Sequence, residues 1–82
     1  MNVMERWTLM AALMPEGIEV IPDGYEALIT DGDKRINVIY NDLNGSYVIN
    51  GKTYHFKDND FEFLNTLLVP IILQELDGNR RI

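Results

Sequence analysis

The residues best equipped for chemistry gather late in the chain, where the only histidine, His55, precedes Asp58 and Asp60. One imidazole and two carboxylates are the donors a divalent cation takes, and a small metal-dependent enzyme would use His55 with Asp58 or Asp60. The same two aspartates also fit the cap and first turn of a helix, which is the simpler role and the expected one. Asp31, Gly32 and Asp33 open like a calcium loop, yet Lys34 and Arg35 follow at once and the later acidic ligands are missing, so a tight turn is expected there. A nucleophile would have to be Ser46, the only serine, with His55 as its base; this pair lacks an orienting third residue and an oxyanion site, and reads as a cross-strand polar contact. The glycines are spaced as turn and cap punctuation, and none builds a phosphate loop. The expectation is a non-enzymatic protein with no catalytic, cofactor-binding or metal-ligating residue.

The elements that carry these residues follow from three turn sequences, Asp31-Gly32-Asp33-Lys34, Asn44-Gly45 and Asn50-Gly51. Asn50-Gly51, with both residues at positive φ, closes a hairpin with Ile49 opposite Lys52 and Tyr47 opposite Tyr54. Ser46 then lies opposite His55. Asn44-Gly45 as a second two-residue turn sets Tyr40 opposite Ile49 and Asp42 opposite Tyr47. Gly32-Asp33 as the third sets Ile29 opposite Ile36 and Ala27 opposite Val38, whereas a one-residue slip would put Leu28 against Arg35. In this register Tyr25, Ala27, Ile29, Ile36, Val38, Tyr40, Tyr47, Ile49, Tyr54 and Phe56 share one apolar face of a four-stranded antiparallel meander.

Both ends of the chain supply cover for that face. Asn2 and Glu5 form a capping-box pattern, and Val3, Trp7, Met10 and Met14 recur at helical spacing until Pro15, predicting a helix over 3–14. Asp58 and Asn59 can cap a second helix, with Glu62 three residues after Asn59 and Gly78 at its end. Pro70 falls inside it and removes the bond to the Thr66 carbonyl, predicting a kink or two shorter helices near Val69. Residues 17–22 fit either a connector or an edge strand. The fold class is α+β in one domain spanning 1–82: an N-terminal helix, the four-stranded meander and a C-terminal helix kinked at Pro70, with both helices on one sheet face.

Composition bounds the function. The 82 residues can build one core, and 46% hydrophobic content fills it without disulfides or a structural metal. The chain has no cysteine, which rules out disulfide scaffolds, thiolate sites and cysteine nucleophiles. Glu5 and Arg6 interrupt any secretory leader pattern, and the apolar run from Leu67 to Leu73 is far short of the roughly 20 residues a bilayer requires, so a cytoplasmic protein without membrane contact is expected. A net charge of −6 and a pI near 4.5 argue against direct nucleic-acid binding, because the seven Lys and Arg are scattered, with Lys34-Arg35 in a turn and Arg80-Arg81 near the end of the sequence as the only adjacent pairs.

The remaining signal is apolar surface. Leu28, Ile39 and Val48 fall on the outward sheet face of three successive strands, among polar neighbours. On the second helix Leu64, Leu68, Ile71 and Ile72 occupy one side, while Phe63 and Leu67 widen it beyond what one sheet contact covers. These features predict a small acidic interaction module that binds another protein through Leu28, Ile39, Val48, Phe63 and Leu67. Size and charge alone make a regulator or inhibitor of viral or mobile-element type the analogy. Two alternatives are a homodimer through Phe63, Leu67, Val69 and Leu73, and an acidic nucleic-acid mimic that arrays Asp23, Glu26, Asp31, Asp33, Asp42, Asp58 and Asp60.

Overall fold

The computed structural model describes residues 2–56 and 61–78, with the side chain of Phe61 left aside. Helix α1 spans Val3–Leu13 and begins with the expected reciprocal cap: Glu5 N–H donates to Asn2 Oδ1 at 2.8 Å, and Asn2 N–H donates to Glu5 Oε1 at 2.9 Å. Five strands follow in an up-and-down antiparallel sheet, β1 (Glu19–Asp23), β2 (Glu26–Thr30), β3 (Arg35–Asn41), β4 (Ser46–Ile49) and β5 (Lys52–His55), adjacent in chain order. The α+β class and the antiparallel meander match the sequence expectation. The strand count does not, because residues within 17–22 contribute an edge strand.

Strand β1 pairs with β2 through a two-residue loop, Gly24-Tyr25, with Gly24 at φ +65° and Asp23 opposite Glu26. A tight hairpin closes on a hydrogen-bonded pair, so Asp23, Ile21 and Glu19 bond to β2 while Val20 and Pro22 turn their backbone groups to the open edge. Pro22 is tolerated there because its missing N–H is not needed for pairing. Tyr25, expected on the apolar face, sits in this loop 51% exposed and donates its hydroxyl to Asp42 Oδ2 at 3.1 Å.

The hairpins at Gly32-Asp33 and Asn50-Gly51 have the expected register, with Ile29 opposite Ile36, Tyr47 opposite Tyr54, and Asn50 and Gly51 at φ +53° and +83°. The middle turn differs. Tyr40 lies opposite Tyr47 and Val38 opposite Ile49, a shift of two residues from the expected pairing. The reason is a longer loop: Gly45 N–H donates to the Asn41 carbonyl at 2.8 Å, Asn41 Oδ1 accepts Leu43 N–H at 3.0 Å, and Asn44 Oδ1 accepts Ser46 N–H at 3.0 Å. Asn44 and Gly45 thus end a loop whose amides are held by two asparagine side chains, in place of forming a two-residue turn. A shift of two preserves the parity of every side chain, so the apolar face survives.

The second helical stretch starts as α2 (Phe61–Phe63), widens to π-helix over Leu64–Leu68 and continues as α3 (Val69–Gly78). Val69 N–H donates to the Leu64 carbonyl, the wider bond of a π-turn, immediately before the N–H that Pro70 lacks. The expected N-cap residues Asp58 and Asn59 lie outside the described residues. Leu64, Leu68, Ile72 and Leu76 are all buried at a strict spacing of four. A uniform α-helix advances about 100° per residue and would rotate the last of these away from the first; the π-turn takes back part of that drift. Both helices pack on one sheet face, in a core that joins Trp7, Met10, Ala27, Ile29, Val38, Tyr47, Ile49, Leu64, Leu68 and Ile72.

Candidate interaction face

The helices cover the face of the sheet that carries Ala27, Ile29, Ile36, Val38, Tyr47 and Ile49, and the residues alternating with these point the other way. Leu28, Ile39 and Val48 lie on that outer face, as expected, and β1 adds Ile21. Ile21 is the register partner of Leu28, and Ile39 is the partner of Val48. Leu28 and Ile39 are diagonal neighbours, since Leu28 faces Asn37 and Ile39 faces Glu26. One aliphatic side chain per strand therefore crosses β1 to β4. Ile21 is 47% and Ile39 39% exposed, and Leu28 and Val48 are half-buried.

The two-residue shift in the β3–β4 pairing makes this stripe continuous. The expected register would set Ile39 across from Asn50, whereas the observed one sets it across from Val48. Ile21 escaped sequence reading because its strand is short and contains Pro22, although Pro22-Asp23-Gly24 is itself a turn signal.

Polar residues frame the stripe. Glu19, Asp23 and Glu26 stand on its β1–β2 side, and Glu26 Oε2 accepts from Asn37 Nδ2 at 2.7 Å. Thr30 Oγ1 donates to the Lys34 carbonyl at 2.8 Å and accepts Gly32 N–H at 3.0 Å, which buries it at the start of the β2–β3 turn. In that turn Asp31 accepts Lys34 N–H at 2.7 Å and Asp33 N–H at 2.9 Å and pairs with Lys34 Nζ at 2.6 Å. The Lys34 hydrogen bond, aided by the two backbone donors, holds the Asp31 carboxyl well below the usual carboxylate range. Asp31 is thus a turn residue with its oxygens engaged.

The other expected partner residues do not join this face. Leu67 is 45% exposed on the π-helical segment, in the layer on the opposite side of the sheet. Phe63 is buried, with its ring 4.7 Å from that of Phe56 and 6.2 Å from that of Tyr47. Val69 is buried as well and Leu73 is half-buried, so of the four residues named for a homodimer Leu67 alone is exposed. The acids named for a nucleic-acid mimic divide between the two ends of the meander: Asp23, Glu26 and Asp42 at one, Asp31 and Asp33 at the other. Asp58 and Asp60 lie outside the described residues.

Ser46 and His55 are register partners as expected, but the Ser46 hydroxyl donates to Asn44 Oδ1 at 2.7 Å. His55 is exposed. Among the described residues no group of His, Asp and Glu is arranged to hold a metal ion, and none of the described helices is long and apolar enough to cross a membrane.

One polar residue in the core went unread. Arg6 is 6% exposed, with its guanidinium carbon 4.3 Å from the Tyr40 ring centre and Nη1 donating to the Tyr47 hydroxyl at 3.0 Å. Burial pushes the Tyr47 hydroxyl up from its ordinary pKa, and the Arg6 charge and hydrogen bond pull against that rise. The signal was present: Val3, Arg6, Trp7 and Met10 follow the three- and four-residue steps of one helix face, so Arg6 had to enter the core with them.

Comparison with known protein families, with curated proteins and with solved structures gives no match.

Proposed function

We propose that this protein is a small acidic, non-enzymatic interaction module that docks on another protein through the outer face of its sheet, and that it acts as a regulator or inhibitor by occupying its partner's surface. The supporting observation is the stripe of Ile21, Leu28, Ile39 and Val48, which crosses four strands on the face that neither helix covers. Covering the exposed part of these half-covered side chains contributes roughly 0.5–1.5 kcal/mol each, a favourable share of binding that polar contacts around the stripe must complete. Thr30, Glu26 and Ser46 beside the stripe are engaged in turn and cross-strand bonds, which suits a scaffold for a surface and not a reaction centre.

The test is affinity capture with the intact chain beside a variant carrying Leu28→Asp, Ile39→Asp and Val48→Asp. The partner should be retained by the unmodified protein and lost by the variant, while circular dichroism shows the same fold in both. Retention by both baits would remove the sheet face as the binding surface. A melting midpoint that rises with protein concentration would instead favour self-association.

A further inference from the structure

The outer face is unevenly charged, and that asymmetry bears on the partner's chemistry. On β1 and β2 the outward residues beside Ile21 and Leu28 are Glu19, Asp23, Glu26 and Thr30, so every charged one is acidic. Asp23 and Glu26 are register partners, which sets two carboxylates directly opposite each other at the hairpin end, an arrangement that disfavours the isolated hairpin. Glu26 has the Asn37 amide at 2.7 Å, while Asp23 stands exposed.

Resting on the docking face proposed above, we infer that its occupant is a basic amphipathic helix of the partner protein, aliphatic along one side and flanked by Lys or Arg. Strand spacing is about 4.8 Å and a helical turn advances about 5.4 Å, so a helix laid across the strands sets one apolar residue per turn over Ile21, Leu28 and Ile39 in succession. Its cationic flank then meets Asp23 and Glu26 and relieves the repulsion between these two opposed carboxylates. An extended partner strand is matched less well on this side, because Pro22 withholds one of the outward N–H groups of the β1 edge. A second copy of this chain is a poor occupant, since each copy carries a net charge of −6 and brings the same carboxylates.

The probe is a synthetic helical peptide of about five turns, with leucine at helical spacing and lysine elsewhere, titrated into the intact protein by fluorescence anisotropy and mapped by amide NMR shifts. Two control peptides replace its lysines by glutamate or its leucines by serine. The leucine-lysine peptide should bind with shifts at Ile21, Glu26, Leu28 and Ile39. Asp23→Asn with Glu26→Gln should weaken it about fivefold or more, while Glu16→Gln with Asp33→Asn, the same change in net charge elsewhere, should weaken it less than about twofold. Affinity should also fall between about 50 mM and about 300 mM salt.

Equal losses from both neutralised pairs would overturn the inference, leaving only diffuse attraction. If the leucine-glutamate peptide binds the same residues as tightly, the docking face stands and the basic partner falls. Equal binding by the serine-lysine peptide would show that the stripe is not used. No binding, or shifts confined to other surfaces, would overturn both the inference and the docking face beneath it.

Discussion

The carboxylate of Glu75 on α3 accepts the Lys52 ammonium of β5 at 3.0 Å, and it also takes the Tyr54 hydroxyl at 3.3 Å and the Asn50 amide at 3.4 Å. One side chain of the last helix thereby ties down both the turn and the final strand of the β4–β5 hairpin. Lys52 stands largely in solvent while Glu75 is mostly covered, so the value of the cluster resides at the carboxylate end.

This cluster predicts an acid-sensitive dock. The Lys52 hydrogen bond, with smaller help from Asn50 and Tyr54, holds the Glu75 carboxyl below its ordinary pKa against the opposing effect of burial. A carboxylate lowered in the folded state contributes stability above its unfolded pKa, about 4.3, and loses it as pH falls through the folded value. Glu75→Gln should cost about 0.5–1 kcal/mol at neutral pH and flatten the loss of melting temperature below about pH 4.5. An unchanged acid limb in the variant would show that Glu75 does not carry it. Lys52 is raised by the same contact, so its share persists below its ordinary pKa and disappears in strong alkali.

The core arginine predicts a non-additive pair. Tyr47→Phe removes the acceptor of Arg6 Nη1, and Arg6 Nε already has no hydrogen-bond partner, so a buried cation loses its one described acceptor. That change should cost about 1–3 kcal/mol. Arg6→Met together with Tyr47→Phe removes donor and acceptor together and should recover at least half of the loss, measured as a double-mutant cycle in urea. Simple additivity would mean that the contact contributes nothing specific.

Adjacent leucines of the π-helical segment should behave in opposite ways. Leu68 is fully buried and Leu67 is 45% exposed. Leu68→Ala should destabilise by about 2–5 kcal/mol, and Leu67→Ala by less than about 0.5 kcal/mol. Similar losses at both positions would mean that the helix faces the sheet differently.

Gly24 should resist substitution for backbone reasons alone. A Cβ there meets nothing within 4 Å, yet its φ of +65° is one that other L residues adopt at a cost. Its carbonyl accepts Trp7 Nε1–H at 2.8 Å, so the loop is also pinned to α1. Gly24→Ala should cost about 1–2 kcal/mol, or about 4–8 °C of melting temperature per kcal/mol in a domain of this size. Gly24→Asn, which tolerates the left-handed region, should cost less.

The legible parts of this fold are those where local chemistry admits one answer. Asn50-Gly51 demands two positive φ angles and so announces a hairpin, and Asn2 with Glu5 announces a helix start. Asn44-Gly45 has the same appearance, but its loop is decided by the side chains of Asn41 and Asn44 capturing nearby amides, which residue identity alone does not reveal. Strand β1 depended on the edge position of Pro22, a fact of the assembled sheet. For the candidate face, Leu28, Ile39 and Val48 were readable because alternation survives a two-residue shift, while Ile21 was hidden with its strand. Phe63 and Leu67 stand at the margins of one helical arc, and only the packed structure shows that the first turns inward and the second outward.

Pro22 has a consequence for the chain at high concentration. Growth of a sheet by runaway addition of copies needs a receptive edge at both ends of each unit. The β1 edge offers the amide of Val20 but none from Pro22, whereas at the β5 edge both Thr53 and His55 turn an amide outward by the same alternation. Strand-to-strand joining of two molecules is therefore favoured at β5 against β5 over pairing through β1, and a pair joined in that way has two outer margins poorer in donors, which works against ribbon-like aggregation.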